Sequence, residues 1–287
     1  MPNYQIITDS GSDLPFTLQQ ALDVKSVCLS LLFREQTLPD SVNDDIVEMY
    51  QALRQGEVAK TAAVNPDGWA SIMEPALQEG KDVLALAFSS GLSTTYQSAV
   101  IAANELMEQY PDRKIRVVDT LCASLGQGLF VHYACCKRDE GMDLEQLTAW
   151  CEENKLHLCH WVTVDDLMYL KRGGRISAAT ALVGTMLQVK PIIHVDDAGK
   201  LINVGKARGR KAAIDVLVKK MVETAIPGAN DLVYICHGDC EADAQYLAQQ
   251  VKEKCGVKEV FYYYTGAVIG SHSGPGTLAL FFLGEHR

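Results

Sequence analysis

Residues 83–107 read VLALAFSSGLSTTYQSAVIAANELM. Six consecutive apolar residues fit a strand buried on both faces, and the hydroxyl-rich SSGLSTT that follows breaks the run. Beyond it Val100, Ala103 and Met107 recur at helical steps, so the stretch reads strand, loop, helix. The same unit is found on either side, opened by YQIIT (4–8) and IRVVD (115–119). Repetition of this unit predicts a largely parallel, Rossmann-like sheet with helices on its faces. The loops 8–15, 89–95 and 119–126 are then expected to share the carboxyl edge, where ligands of such sheets collect. No GxGxxG follows any of these strands, so a dinucleotide site lacks its fingerprint.

The second half has another rhythm. HLCHWVTV (157–164) and VKEVFYYYTG (257–266) read as strands, SAATALVGTMLQV (177–189) as a buried helix, and PIIHVDDAGKLINVGKA (191–207) as a hairpin around an Asp/Gly turn. Ile214, Leu217, Val218, Met221 and Val222 form one apolar helical stripe, and Ala244, Leu247, Ala248 and Val251 another. The expected fold is α/β with two packed domains, residues 1–155 Rossmann-like and residues 156–287 with a mixed sheet.

Composition narrows the function. With 287 residues, 48% hydrophobic and 22% charged, the chain can bury substantial cores. A formal charge of −10 argues against nucleic-acid binding, which needs a basic face. MPNYQIITDS carries no secretory pattern and no run is long enough to span a bilayer, so a cytoplasmic location is expected. The nine cysteines lie mostly in apolar segments, consistent with a reducing compartment. Cys236 with Cys240, and His157 with Cys159 and His160, show fragments of metal-ligand spacing without a second half, and no metal or cofactor is expected.

Several segments carry weak chemical signals. Ser93 or Thr94 suits an N-cap and Thr94 with Gln97 a capping box, while the same helix start suits a carboxylate or phosphate. Thr61 precedes an Asn-Pro turn and reads as a turn or cap residue. Lys171, Arg172 and Arg175 surround two glycines in LKRGGRIS, where a loop-held arginine can clamp a carboxylate. Arg208 and Arg210 precede a helix, where cations oppose the dipole. His272 sits in a Gly/Pro-rich loop that can expose its ring.

Taken together, ITDSGSDLP (7–15), SSGLSTTYQSA (89–99), VVDTLCASLGQGL (117–129), LKRGGRIS (170–177), KPIIHVDDAGKL (190–201) and IGSHSGPGTLAL (269–280) resemble the DegV family of bacterial fatty-acid-binding proteins, from end to end and in order. The resemblance implies one long-chain fatty acid held between two domains, tail inward and carboxylate at the cleft. It implies further that the loaded protein, with no complete active site of its own, presents the carboxylate to a separate ATP-dependent fatty acid kinase for acyl phosphate formation. Transient membrane contact is compatible with this role. The family's carboxylate-binding threonine and serine match Thr61 and Ser93, its histidine matches His272, and its pre-helix arginine matches Arg208, placed near the headgroup and the kinase. The chain departs from the family at Ala62, Ala63 and Val64, where Ser-Gln-Pro is usual, and at Thr94, where glycine is frequent. Two rival readings are a serine hydrolase using Ser93 and His272, with Asp9 or Asp119 as orienter, and a regulator binding a nucleotide or sugar phosphate. SGLST lacks the nucleophile-elbow pattern.

Overall fold

The computed structural model describes residues 3–40, 46–177 and 188–287. Four strands, β1 (Tyr4–Asp9), β2 (Val24–Val27), β6 (Asp82–Ala87) and β7 (Ile115–Asp119), form a parallel sheet in the order β2-β1-β6-β7. Six later strands, β8 (Leu158–Thr163), β9 (Val189–Val195), β10 (Leu201–Arg208), β11 (Leu232–His237), β12 (Glu259–Tyr264) and β13 (Leu278–Leu283), form a mixed sheet ordered β10-β9-β8-β13-β11-β12. The expected α/β fold with a Rossmann-like and a mixed sheet is what the chain adopts. The expected buried helix over 177–189 falls almost wholly outside the described residues.

A third sheet is absent from the sequence-based expectation. Strands β3 (Ser30–Phe33), β4 (Gln36–Pro39) and β5 (Lys60–Ala62) make a small antiparallel sheet, with Leu31 opposite Thr61. Thr61 is therefore a strand residue and not a turn or cap.

The α-helices among the described residues are α1 (Phe16–Ala21), α2 (Ile46–Arg54), α3 (Pro66–Gln78), α4 (Thr95–Gln109), α5 (Leu125–Asp139), α6 (Leu144–Asn154), α7 (Met168–Arg172), α8 (Arg210–Thr224), α9 (Glu241–Cys255) and α10 (Ala267–Ser273). Local chemistry sets several of their ends. Asn65 Oδ1 accepts from Gly68 N–H at 2.8 Å ahead of Pro66, and Asp143 with Gln146 forms a reciprocal capping box. The buried face of α4 is Ala99, Ala102, Ala103 and Leu106; Val100 and Met107 sit at its margins. In α8 the stripe ends at Met221, and Val222 is 58% exposed, contrary to its assignment from periodicity. Residue 222 lies one 100° step beyond Met221, which carries it off the packed face.

Helix α5 joins the two halves. Residues 125–131 are all buried because one face covers β1 and β6 while another meets the mixed sheet, and Leu129 and Phe130 share a core with Ile6, Leu84, Tyr234 and Phe281. Gly126 permits this approach: a Cβ there would collide with His160 Nε2. The loops after β1, β6 and β7 meet at the carboxyl edge as expected. Phe88 N–H donates to Asp9 Oδ2 at 2.7 Å, Ser89 N–H to the Cys122 carbonyl at 3.0 Å, and Ser90 N–H to Asp119 Oδ1 at 3.1 Å. No helix among the described residues is long and apolar enough to cross a membrane.

Candidate functional site

Between this carboxyl edge and the facing side of the mixed sheet lies a cavity of about 460 Å³. Its volume is in the range of small-molecule sites. Alternation along the strands aims the wall residues: Val162 of β8, Ile193 and Val195 of β9, and Ala279 and Phe281 of β13 all face inward. Leu29, Phe88, Leu170 and Leu201 extend the apolar wall, which is suited to a hydrocarbon chain.

Thr61, Ser93 and His272 all line this cavity, brought together from three elements. Thr61 is held by the pairing of β5 with β3, and its Oγ1 lies 2.7 Å from His272 Nε2. His272 is not a loop residue: it occupies the last turn of α10, and the Gly/Pro loop begins only after it. The helix is anchored at its start by Asp40, whose Oδ1 accepts from Val268 N–H at 2.9 Å while Oδ2 accepts from Ser10 Oγ at 2.8 Å. On the far side of the ring, Gly173 passes so close that a Cβ there would collide with His272 Nδ1.

Burial, and secondarily the positive charge of Arg175, lowers the His272 pKa to about 4, so the imidazole is neutral at pH 7. With Nε2 protonated, the ring donates to Thr61 Oγ1 and leaves the threonine hydroxyl hydrogen free for a further acceptor. Arg175 itself lines the cavity and supplies its cation among the described residues. Its Nε donates to the Leu92 carbonyl at 3.2 Å, and Nη1 donates to the Gly173 carbonyl. Burial pushes its pKa below the usual arginine value.

At the start of α4 the N-cap residue is Thr94, which makes no side-chain cap bond, so the expected capping box with Gln97 is not formed. Ser93 takes over part of that role: its Oγ accepts from Thr95 N–H at 3.2 Å and lies 2.9 Å from Thr95 Oγ1. Arg208 does not line the cavity. It is exposed at the far end of β10, opposite Val189 and seven residues from Leu201, a span of about 20 Å along the strand.

A hydrolytic triad is not assembled. Ser93 pairs with Thr95 and His272 with Thr61, so nucleophile and base are not paired with each other. Asp9 is buried, which pushes its pKa up to about 7, and its oxygens accept from Phe88 and Gly11 N–H. Asp119 accepts from Ser90 and Leu121 N–H. The fragments of metal-like spacing are likewise dispersed: His160 and Cys236 line the cavity, Cys159 packs on the opposite face of the sheet, and Cys240 precedes α9. Of the residues departing from the family pattern, Val64 is buried in the core with Trp69, and Ala62 is exposed at the end of β5.

Comparison with known proteins finds matches along the whole chain. The family model described as uncharacterised protein, DegV family, matches residues 3–285. A DegV domain-containing protein of Clostridium perfringens is 42% identical over 289 residues, covering 100% of this chain and 99% of the relative. Among solved structures, a DegV lipid-binding protein from Thermotoga maritima superposes with a TM-score of 0.88 at 30% identity, covering 100% of both chains. A DegV family protein from Thermus thermophilus, described by its fatty acid binding, gives a TM-score of 0.86 at 33% identity over 98% of this chain and 99% of that one.

Proposed function

Because this chain belongs to the DegV family, we propose that it binds one long-chain fatty acid, with the tail in the interdomain cavity and the carboxylate at Thr61, Ser93 and His272. The observation that carries this reading is the cavity: a largely apolar wall with hydroxyls of Thr61 and Ser93, a neutral imidazole and Arg175 on the same lining. The solved relatives described as lipid- or fatty-acid-binding proteins support it. A sixteen-carbon tail offers on the order of 10 kcal/mol of gross transfer free energy at about 0.8 kcal/mol per methylene, before ordering costs. Affinity comes from the tail. The carboxylate gains charge-assisted hydrogen bonds that fix orientation.

The bound carboxylate is presented, in the cytoplasm, to a separate ATP-dependent kinase that forms the acyl phosphate. Arg208, exposed at the far end of β10 and outside the cavity lining, is assigned in this reading to that partner and not to the lipid. Organic extraction of protein purified from bacteria, followed by mass spectrometry, is expected to release close to one fatty acid per chain. A cognate kinase with ATP should convert it to acyl phosphate. Protein that is empty as purified and stays empty after incubation with several long-chain acids would contradict the reading.

A further inference from the structure

The start of α10 rests on a carboxyl that is only 2% exposed, that of Asp40. Its Oδ1 accepts from Val268 N–H and its Oδ2 from the Ser10 hydroxyl, and the same serine oxygen accepts from Leu29 N–H at 2.9 Å. Asp40 N–H closes the network by donating to the Leu29 carbonyl at 2.8 Å. With Leu29 N–H as donor to the serine oxygen, the hydroxyl hydrogen goes to Asp40, and both carboxyl oxygens act as acceptors. That is the pattern of an ionised group. The network ends on the cavity wall, because Leu29 and Val268 both line it. His272 follows Val268 by one helical turn and lies on the same face of α10.

We infer that Asp40 is a positioning residue of the headgroup site: its carboxylate holds α10 so that His272 meets Thr61, and protonation of that carboxylate loosens the hold and weakens fatty-acid binding. The inference rests on the fatty-acid reading above. Burial opposes the charge and pushes the Asp40 pKa up to about 6, against the hydrogen bonds from Val268 and Ser10 that favour it. The ionisable groups around it are Asp9, Asp13 and Cys28, with Asp23 and Lys25 on the groove that Asp13 and Asp40 line. Burial pushes the pKa values of Asp9 and Asp13 up as well. Once Asp40 takes a proton, one of its oxygens becomes a donor and can no longer accept in the same way. Tyr50 OH still holds the Thr265 carbonyl ahead of α10 at 2.9 Å, so the helix shifts without unfolding.

The test compares the dissociation constant of palmitic acid for the native full chain and for Asp40→Asn across the pH range, by displacement of a neutral fluorescent lipid. Protonation of the ligand itself is common to both chains and cancels in the ratio. The variant is expected to bind about tenfold more weakly at about pH 7.5, and the ratio to fall to about one at about pH 5, where the native carboxyl is neutral too. Ser10→Ala removes a hydrogen bond to the charged form, so its affinity should fall at a higher pH than that of the native chain. A ratio that stays constant with pH would overturn the inference: near one, Asp40 has no bearing on the site, and near ten, its role is structural and independent of charge. Should Asp40→Asn fail to fold, an unshifted profile in Ser10→Ala overturns it instead. The nitrogen-15 shifts of the His272 ring in the lipid-free chain read the same event without ligand, and are expected to move with a midpoint near pH 6 in the native chain and not in Asp40→Asn. If palmitic acid binds neither chain, the fatty-acid reading fails and these shifts alone decide the positioning role.

Discussion

Replacing Thr61 by valine and Ser93 by alanine in one chain is expected to weaken fatty-acid binding by about 3 kcal/mol, on the order of 100-fold, because a carboxylate in the cavity would lose two charge-assisted hydrogen bonds. Stability should change little. Thr61 is the middle residue of a three-residue edge strand with His272 as its side-chain partner, and Ser93 bonds only within the first turn of α4. The measurement is a pair: dissociation constants by displacement of a fluorescent lipid, and the melting temperature of each variant without ligand. Unchanged affinity with an unchanged melting temperature would move the headgroup away from these hydroxyls.

Trp69→Ala should have the largest effect on stability, about 3–5 kcal/mol, since it empties a fully buried site in the core beside β6. Its consequence reaches the ligand site as well. Trp69 Nε1 donates to the Thr95 carbonyl at 3.0 Å, tying α3 to the turn that presents Ser93. Urea unfolding measures the first effect, and lipid affinity at a denaturant-free temperature well below the transition measures the second. A loss below about 1 kcal/mol would mean that the neighbouring Met73 and Leu77 close the space.

The parts of the fold that could be read from sequence are those whose pattern is set by burial alone. Strands β1 and β6 are short, mostly apolar runs shielded on both faces, the edge strand β7 is buried at Ile115 and Val118, and α9 keeps its inner stripe at Ala244, Leu247, Ala248 and Val251. The small sheet was not legible because its strands are three or four residues long and partly exposed; only pairing across the gap from Leu31 to Thr61 creates it. Helix α10 was hidden for a related reason. Its sequence, AVIGSHS, has the glycine and serine content of a loop, and its seven residues are held by tertiary bonds such as that from Val268 N–H to Asp40.

The candidate site divides in the same way. Thr61, Ser93 and His272 were named from motifs, and all three line one cavity although residues 61 and 272 lie on different elements far apart in the chain. The cation was less legible. Arg175 and Arg208 both stand beside glycines in the sequence, but the end of α7 turns Arg175 towards the cavity, while β10 carries Arg208 away from it.

The central claim is that this cavity takes a hydrocarbon tail and holds the carboxylate at Thr61, Ser93 and His272. Its most direct test is a calorimetric comparison of palmitic acid with methyl palmitate on lipid-free protein, repeated in the Thr61→Val, Ser93→Ala double variant. The predicted result is one acid per chain, an ester bound at least about tenfold more weakly, and a double variant in which acid and ester bind alike. Equal affinity for acid and ester in the native protein would contradict it.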